Sequence, residues 1–175
     1  MALDQADRTR SDESKMHNTQ SYKAILGHYA SGLTVISTVT EGKPVGFTCQ
    51  SFHSVSMDPP LVSFNVMKGS TSWPGVRSNG QFSVNVLSHG QSGVSSALAR
   101  SGPDKWNSIA WRQTPAGNPL IDECLVWLDC ELYEEHEAGD HTLVIARVID
   151  MQALEAVPPL PPLIFFKGQY CSIAG

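Results

Sequence analysis

The chain has 175 residues, of which 41% are hydrophobic, and a formal net charge of −5. It is long enough for one domain with a sizeable core and too apolar for a disordered chain. The acidic balance and the lack of any basic cluster argue against a nucleic-acid-coating role, and no apolar run approaches the ~20 residues of a membrane span.

Residues 1–18 are polar and mixed in charge, without the apolar centre of a secretory signal. They are expected to form a flexible tail on a cytoplasmic protein, followed by one domain over residues 19–175. In "TQSYKAILGHYASG" the residues Tyr22, Ile25, Leu26 and Tyr29 recur on one helical face. A short helix is predicted there, capped by Thr19 or Ser21 and ended by Gly32. "LTVISTVT", the turn "EGKP" and "VGFTCQSF" predict a hairpin, and Asp58-Pro59-Pro60 breaks the chain sharply. "LVSFNV" is a strand, "MKGSTSWPGVRSNG" a loop with one helical turn, and "QFSVNVL" a strand. "GQSGVSSALARSG" is a short helix and "DKWNSIAWRQTPAGNP" a loop. "LVWLDCELYEEHE" and "HTLVIARVIDMQAL" are two long strands around "AGD". "VPPLPP" is a stiff connector and "LIFFKGQY" a last strand. Many strands and few helices predict an all-β fold with short helices. A closed or nearly closed barrel would leave no exposed sheet edge.

One strand breaks its own pattern. Val45, Phe47 and Cys49 alternate with Gly46, Thr48 and Gln50, then the phase slips at Phe52 before Val55 and Met57 restore it. Thr48, Gln50, Ser51, Ser54 and Ser56 are all polar and uncharged. Serines in a bulged strand account for this. So does a flat heteroaromatic ligand, which buries apolar rings and needs its ring N and O atoms satisfied.

Other motifs narrow the chemistry. There is no G-x-G-x-x-G, no G-x-x-x-x-G-K-[ST], no G-x-S-x-G and no H-E-x-x-H. "KGSTSW" offers a cation, three hydroxyls and a glycine backbone, which suits a phosphate or an ordinary solvated loop. In "EEHEAGDH", His136 and His141 flank a turn rich in carboxylates. A solvated turn is preferred there over a metal site, and no metal is expected. Cys49, Cys124, Cys130 and Cys171 show no C-x-x-C spacing, and the three that sit inside apolar strand-like runs read as reduced, buried thiols.

Seven segments in order, "YASGLTVIST", "KPVGFTCQSFHSVSMDPPLVSFNV", "KGSTSW", "FSVNVL", "DKWNSIAWR", "AGDHTLVIARV" and "LIFFKGQY", resemble the flavin reductase-like family from about Tyr22 to Ile173. This family comprises short NAD(P)H:flavin oxidoreductases that serve two-component flavin monooxygenases. The resemblance implies a split β-barrel of Greek-key type, paired as a homodimer. It implies FMN or FAD beside Pro44, Val45, Gly46, Phe47 and Thr48, beside Gln50 and Ser51, and beside Asn65, Val66 and Met67. Ser70, Thr71 and Ser72 would lie at the phosphate end, Asn85 and Val86 would line the site, and His141 and Tyr170 would meet the nicotinamide. Asn107-Ser108 departs from the usual Ala-Gly of the family. No arginine cluster marks a 2′-phosphate site, so NADH is expected over NADPH. The expected activity is hydride transfer from NADH to flavin, with reduced flavin passed to a monooxygenase partner. The alternatives are a non-catalytic flavin- or haem-binding split barrel and a purely structural β-barrel.

Overall fold

The computed structural model describes residues 19–156 and 158–173, so the expected tail over residues 1–18 lies outside the described residues. The predicted first helix is present as α1 (Thr19–Leu26), but it ends at Leu26 rather than at Gly32. Its apolar face also points outward: none of its residues is buried, and Tyr22, Ile25, Leu26 and the following Tyr29 are each more than half exposed. Gly32 instead belongs to β1 (Ser31–Gly32).

β2 (Thr34–Thr40) and β3 (Lys43–Cys49) form the first hairpin. Its turn residues Glu41 and Gly42 have φ of 53° and 76°, the left-handed pair that matches the right-handed twist of the flanking strands. β4 (His53–Met57) and β5 (Pro60–Met67) make the second hairpin. Then come α2 (Trp73–Asn79), β6 (Gln81–Val86) and α3 (Ser92–Leu98). The segment expected to be a plain loop holds a 3₁₀ turn (Pro103–Trp106) and β7 (Trp111–Gln113), which pairs with β8 (Pro119–Ile121). β9 (Val126–Ala138) and β10 (His141–Ala153) are the long predicted hairpin. The expected last strand is two strands, β11 (Ile164–Phe166) and β12 (Gln169–Cys171), separated by a Lys167-Gly168 turn with φ of 51° and 78°.

The main sheet is antiparallel and seven-stranded, in the order β3-β2-β6-β9-β10-β5-β4. β1-β11-β12 and β7-β8 are separate small sheets. β3 and β4 end the ladder, so the hydrogen bonding leaves two edges where the sequence predicts none. The phase slip has its cause here. Gln50, Ser51 and Phe52 lie between two strands rather than inside one, and a register shift between Ser54 and Ser56 adds a bulge.

β2 is buried on both faces, which accounts for its nearly continuous run of buried residues. Ile36 faces a core with Phe64, Phe82, Trp73, Val76 and Val144. Val35 faces a second core with Leu87, Leu98, Trp106, Ile121 and Leu163. The first core is rich in edge-on aromatic contacts, among them Phe64 to Trp73 and Phe64 to Phe82, both with centroids 5.7 Å apart. Among the described residues no helix is long and apolar enough to cross a membrane.

Gly46 sits where β3 approaches β2 most closely. A Cβ there would lie 2.5 Å from the Ile36 carbonyl oxygen and 2.7 Å from Ser37 Cβ. Gly46→Ala is expected to destabilise the fold by ~1–3 kcal/mol, read as a lower urea midpoint at unchanged slope. An unshifted midpoint would show that the two strands separate freely.

Candidate active site

An edge strand uses one row of its backbone N–H and C=O groups for its neighbour and leaves the other row free. β3 pairs with β2 through Thr34 to Thr40, and among the described residues no strand pairs with its other side. Its inward side chains hold it to the core: Phe47 lies edge-on to Trp73, centroids 6.4 Å apart, and Cys49 is buried. Thr48 faces the opposite way and donates to the Ser95 carbonyl of α3 at 2.7 Å. Pro44, Val45 and Thr48 are half-buried, Gly46 is buried and Gln50 is exposed.

Ser51 closes the gap between β3 and β5. Its Oγ accepts from Asn65 N at 2.8 Å and donates to Asn65 O at 3.3 Å. One side chain thus meets both backbone groups of Asn65, which is still paired with Leu143 of β10 but lies beyond the last β4 partner, Ser63. Asn65 and Met67 are exposed, while Val66 is only 3% exposed and faces the first core.

β5 leads into the hydroxyl loop. Ser70 N donates to Met67 O at 2.9 Å, and Ser70 Oγ accepts from Trp73 N at 3.2 Å. Thr71 is exposed and Ser72 buried. Lys105, a residue the sequence reading left out, donates from Nζ to Ser72 Oγ at 2.7 Å and to Arg100 O at 3.4 Å. Burial pushes the Lys105 ammonium below its usual range. Among the described residues no carboxylate pairs with it. A half-buried cation hydrogen-bonded to a serine hydroxyl and to a carbonyl is chemically suited to an anionic group. The only sequence signal was a lysine placed next to Trp106, an aromatic anchor that fixes its backbone in the second core.

His141 opens β10, opposite Met67 of β5 and Ala138 of β9. Its Nδ1 hydrogen-bonds Asp140 Oδ1 at 2.7 Å, and its side chain is partly exposed. That hydrogen bond, followed by the charge of the ring, holds the Asp140 carboxyl below the usual carboxylate range. Lys68 N donates to Asp140 O at 3.0 Å, joining the His141 turn to the hydroxyl loop. His136 pairs instead with Glu134 at 3.2 Å. Among the described residues no cluster of three or more His, Cys, Asp or Glu is arranged for a metal.

The expected lining by Asn85 needs correction at the side chain. Asn85 is wholly buried. Its amide donates to Pro119 O at 3.0 Å and Ser83 Oγ at 3.2 Å, and accepts from Ile121 N at 2.9 Å. It fastens β8 to β6 and presents no open surface. Val86 beside it is half-buried. Tyr170 stands at the other end of β3, its hydroxyl against Ser95 and Ser96 of α3. A groove of about 640 Å³ lies elsewhere, lined by Ser88, Arg112, Glu123, Cys124 and Gln152, and includes none of the expected site residues. The β3 edge, with Thr48 and Ser51 at its end, and the Ser72–Lys105 pair are therefore the candidate site features.

A model of the flavin reductase like domain matches residues 26–174. The chain is 40% identical over 154 residues to the reductase subunit HsaB of a flavin-dependent monooxygenase from Mycobacterium tuberculosis, covering 88% of this chain and 82% of that protein. The crystal structure of nitrilotriacetate monooxygenase component B from Mycobacterium thermoresistibile superposes with a TM-score of 0.84 at 40% identity, over 89% of this chain and 86% of that one. The NADH:FAD oxidoreductase of Streptomyces globisporus C-1027 gives 0.83 at 28% identity, over 91% and 95%. The fold, antiparallel sheets with a few short helices, is that of these flavin reductase structures. The chain belongs to the flavin reductase like family.

Lys105→Met removes the charge and keeps the stem. It is expected to weaken FMN binding by ~1.5–3 kcal/mol, the range of a hydrogen bond to a charged group. Riboflavin, which carries no phosphate, should bind as before. Equal losses for the two, measured by fluorescence titration, would remove the phosphate from Lys105.

Proposed function

We propose that the protein is an NAD(P)H:flavin oxidoreductase that reduces FMN or FAD with NADH and supplies the reduced flavin to a separate monooxygenase. The observation that carries the flavin site is the half-buried, unpaired Lys105 hydrogen-bonded to Ser72, at one end of an edge strand bordered by neutral hydroxyls. When bound, the flavin accepts a hydride from the nicotinamide, giving NAD⁺ and reduced flavin. The rest is binding and orientation. The outward backbone row of Pro44–Thr48 matches the alternating donors and acceptors on a flavin ring edge. Ser70, Thr71, Ser72 and Lys105 take the phosphate. His141, its Nδ1 fixed by Asp140, offers Nε2 to the nicotinamide nucleotide and to charge that builds during transfer. Absence of a Rossmann motif fits, because both nucleotides share one groove.

The same reading completes the architecture. The seven-stranded sheet is a split Greek-key barrel whose seam runs between β3 and β5, bridged by Ser51. Two copies pair as a homodimer. Two apolar surfaces support this: the α1 face, and Val55, Met57, Ile149 and Met151, of which Met57 is 90% exposed. Unpaired thiols suit a cytoplasmic protein.

The test is steady-state NADH and NADPH oxidation with added FMN, FAD or riboflavin. Flavin-dependent NADH oxidation is expected. Flavin binding without turnover would favour a carrier instead, and no flavin effect at all would overturn the reading. Light scattering at micromolar concentration should give a dimer, and a fully active monomer would refute the pairing. His141→Ala should slow reduction of bound flavin, or raise the NADH concentration required, by roughly tenfold. His136→Ala, across the turn, should behave as the parent in stopped-flow reduction.

A further inference from the structure

We propose that Ser95 and Ser96 of α3 are positioning residues that lock the Tyr170 ring, so that NADH meets the face of that ring and not its hydroxyl. This rests on the reading that Tyr170 borders the nicotinamide. The observation is a partly exposed tyrosine whose hydroxyl has two serine partners. A surface tyrosine usually buries its ring and leaves its hydroxyl in water. Here the hydroxyl is tethered and the residue stays 39% exposed. The phenol O–H donates to Ser95 Oγ at 3.2 Å. Ser96 Oγ lies 3.0 Å from the same oxygen, where either hydroxyl can donate. The phenol oxygen is thus engaged by two protein hydroxyls.

The clasp is anchored on both sides. Ser95 is 1% exposed, and its carbonyl accepts from Thr48 Oγ1 at 2.7 Å, so it is fixed to the β3 edge. Phe165, the ladder partner of Tyr170, packs on the ring at 5.5 Å and 64°. Two hydroxyls hold the tip and one aromatic holds the flank. β12 belongs to the small β1-β11-β12 sheet, not to the sheet containing β3. The serines thus set a ring carried by one sheet against a ligand edge carried by another. An aromatic ring held at its tip and its flank is a stacking surface for a flat ring at low entropic cost.

The experiment is a double-mutant cycle between the paired change Ser95→Ala with Ser96→Ala and the change Tyr170→Phe. It reads NADH KM and kcat at saturating FMN, FMN affinity and melting temperature. Each arm should raise the NADH KM roughly three- to tenfold, as for one or two neutral hydrogen bonds lost. kcat and FMN affinity should stay near the parent. Combining the arms should add nothing further, because both remove the same tether. Ser96→Thr, which keeps the hydroxyl, should restore the parent KM against Ser96→Ala. Tyr170→Leu, which removes the ring, should exceed Tyr170→Phe. Additive losses, an unchanged KM in the serine variant, or equal effects of Phe and Leu would each overturn the proposal while the parent still turns over. A parent chain that does not oxidise NADH with added flavin overturns the underlying reading and this one with it.

Discussion

An unpaired strand edge leaves a row of backbone donors and acceptors that must be covered, blunted or used. β3 is such an edge, unpaired on one side among the described residues. Gly46 lets β2 press against it from one side. Phe47 and Cys49 pin its inner face. Thr48 ties its outer face to α3. Past its end, Ser51 takes up the Asn65 backbone groups, so β5 gains its hydrogen bonds without a further strand of pairing. A full ladder at that seam would satisfy the same groups and remove the binding edge.

Stiffness behind the edge comes from polar groups inside the protein. Ser37 and Ser83 join β2 to β6 at 3.0 Å, and Ser83 and Asn85 both donate to Pro119 O of β8. Asp129, with no exposed surface, accepts from Thr114 Oγ1 and Asn118 Nδ2 at 2.9 Å each, and from Ala116 N at 3.3 Å. A buried carboxylate is tolerated only with such donors. Together these bonds fasten the β7–β8 hairpin across the back of β2, β6 and β9. The fully partnered network fixes register in a way that oily contacts alone do not.

Most strands were legible because period-two alternation and turn chemistry coincide, as at Glu41-Gly42. β7 and β8 were not, since each is three residues long and β8 is apolar throughout. The Lys167-Gly168 turn was missed because Phe166 and Tyr170 on either side read as one apolar run. α1 obeyed helical periodicity but not the inward orientation that periodicity usually implies, because no element of the described chain covers its apolar face. At the site, the uncharged set from Thr48 to Ser56 pointed to a ligand, yet only the fold separates its members. Ser51 bonds β5 and Thr48 bonds α3, while Ser54 and Ser56 fall on the other hairpin. Lys105 and Ser95 escaped notice because they reach the site from elements distant in sequence. Asn85 sits next to half-buried Val86, and its alternation within β6 gives no sign of which neighbour takes its amide.

Reduced flavin that escapes its intended acceptor reacts with dioxygen and yields hydrogen peroxide, so a protein that makes it works beside an oxidant of its own making. Sulfur is the first target, and the reactive form is the thiolate. Burial raises the Cys49 thiol above its ordinary value and pushes Cys124 and Cys130 up to about 11 and about 12. All three are buried. At neutral pH these sulfurs are protonated as well as hidden, so the packing that builds the core also makes it durable against the chemistry performed at its surface.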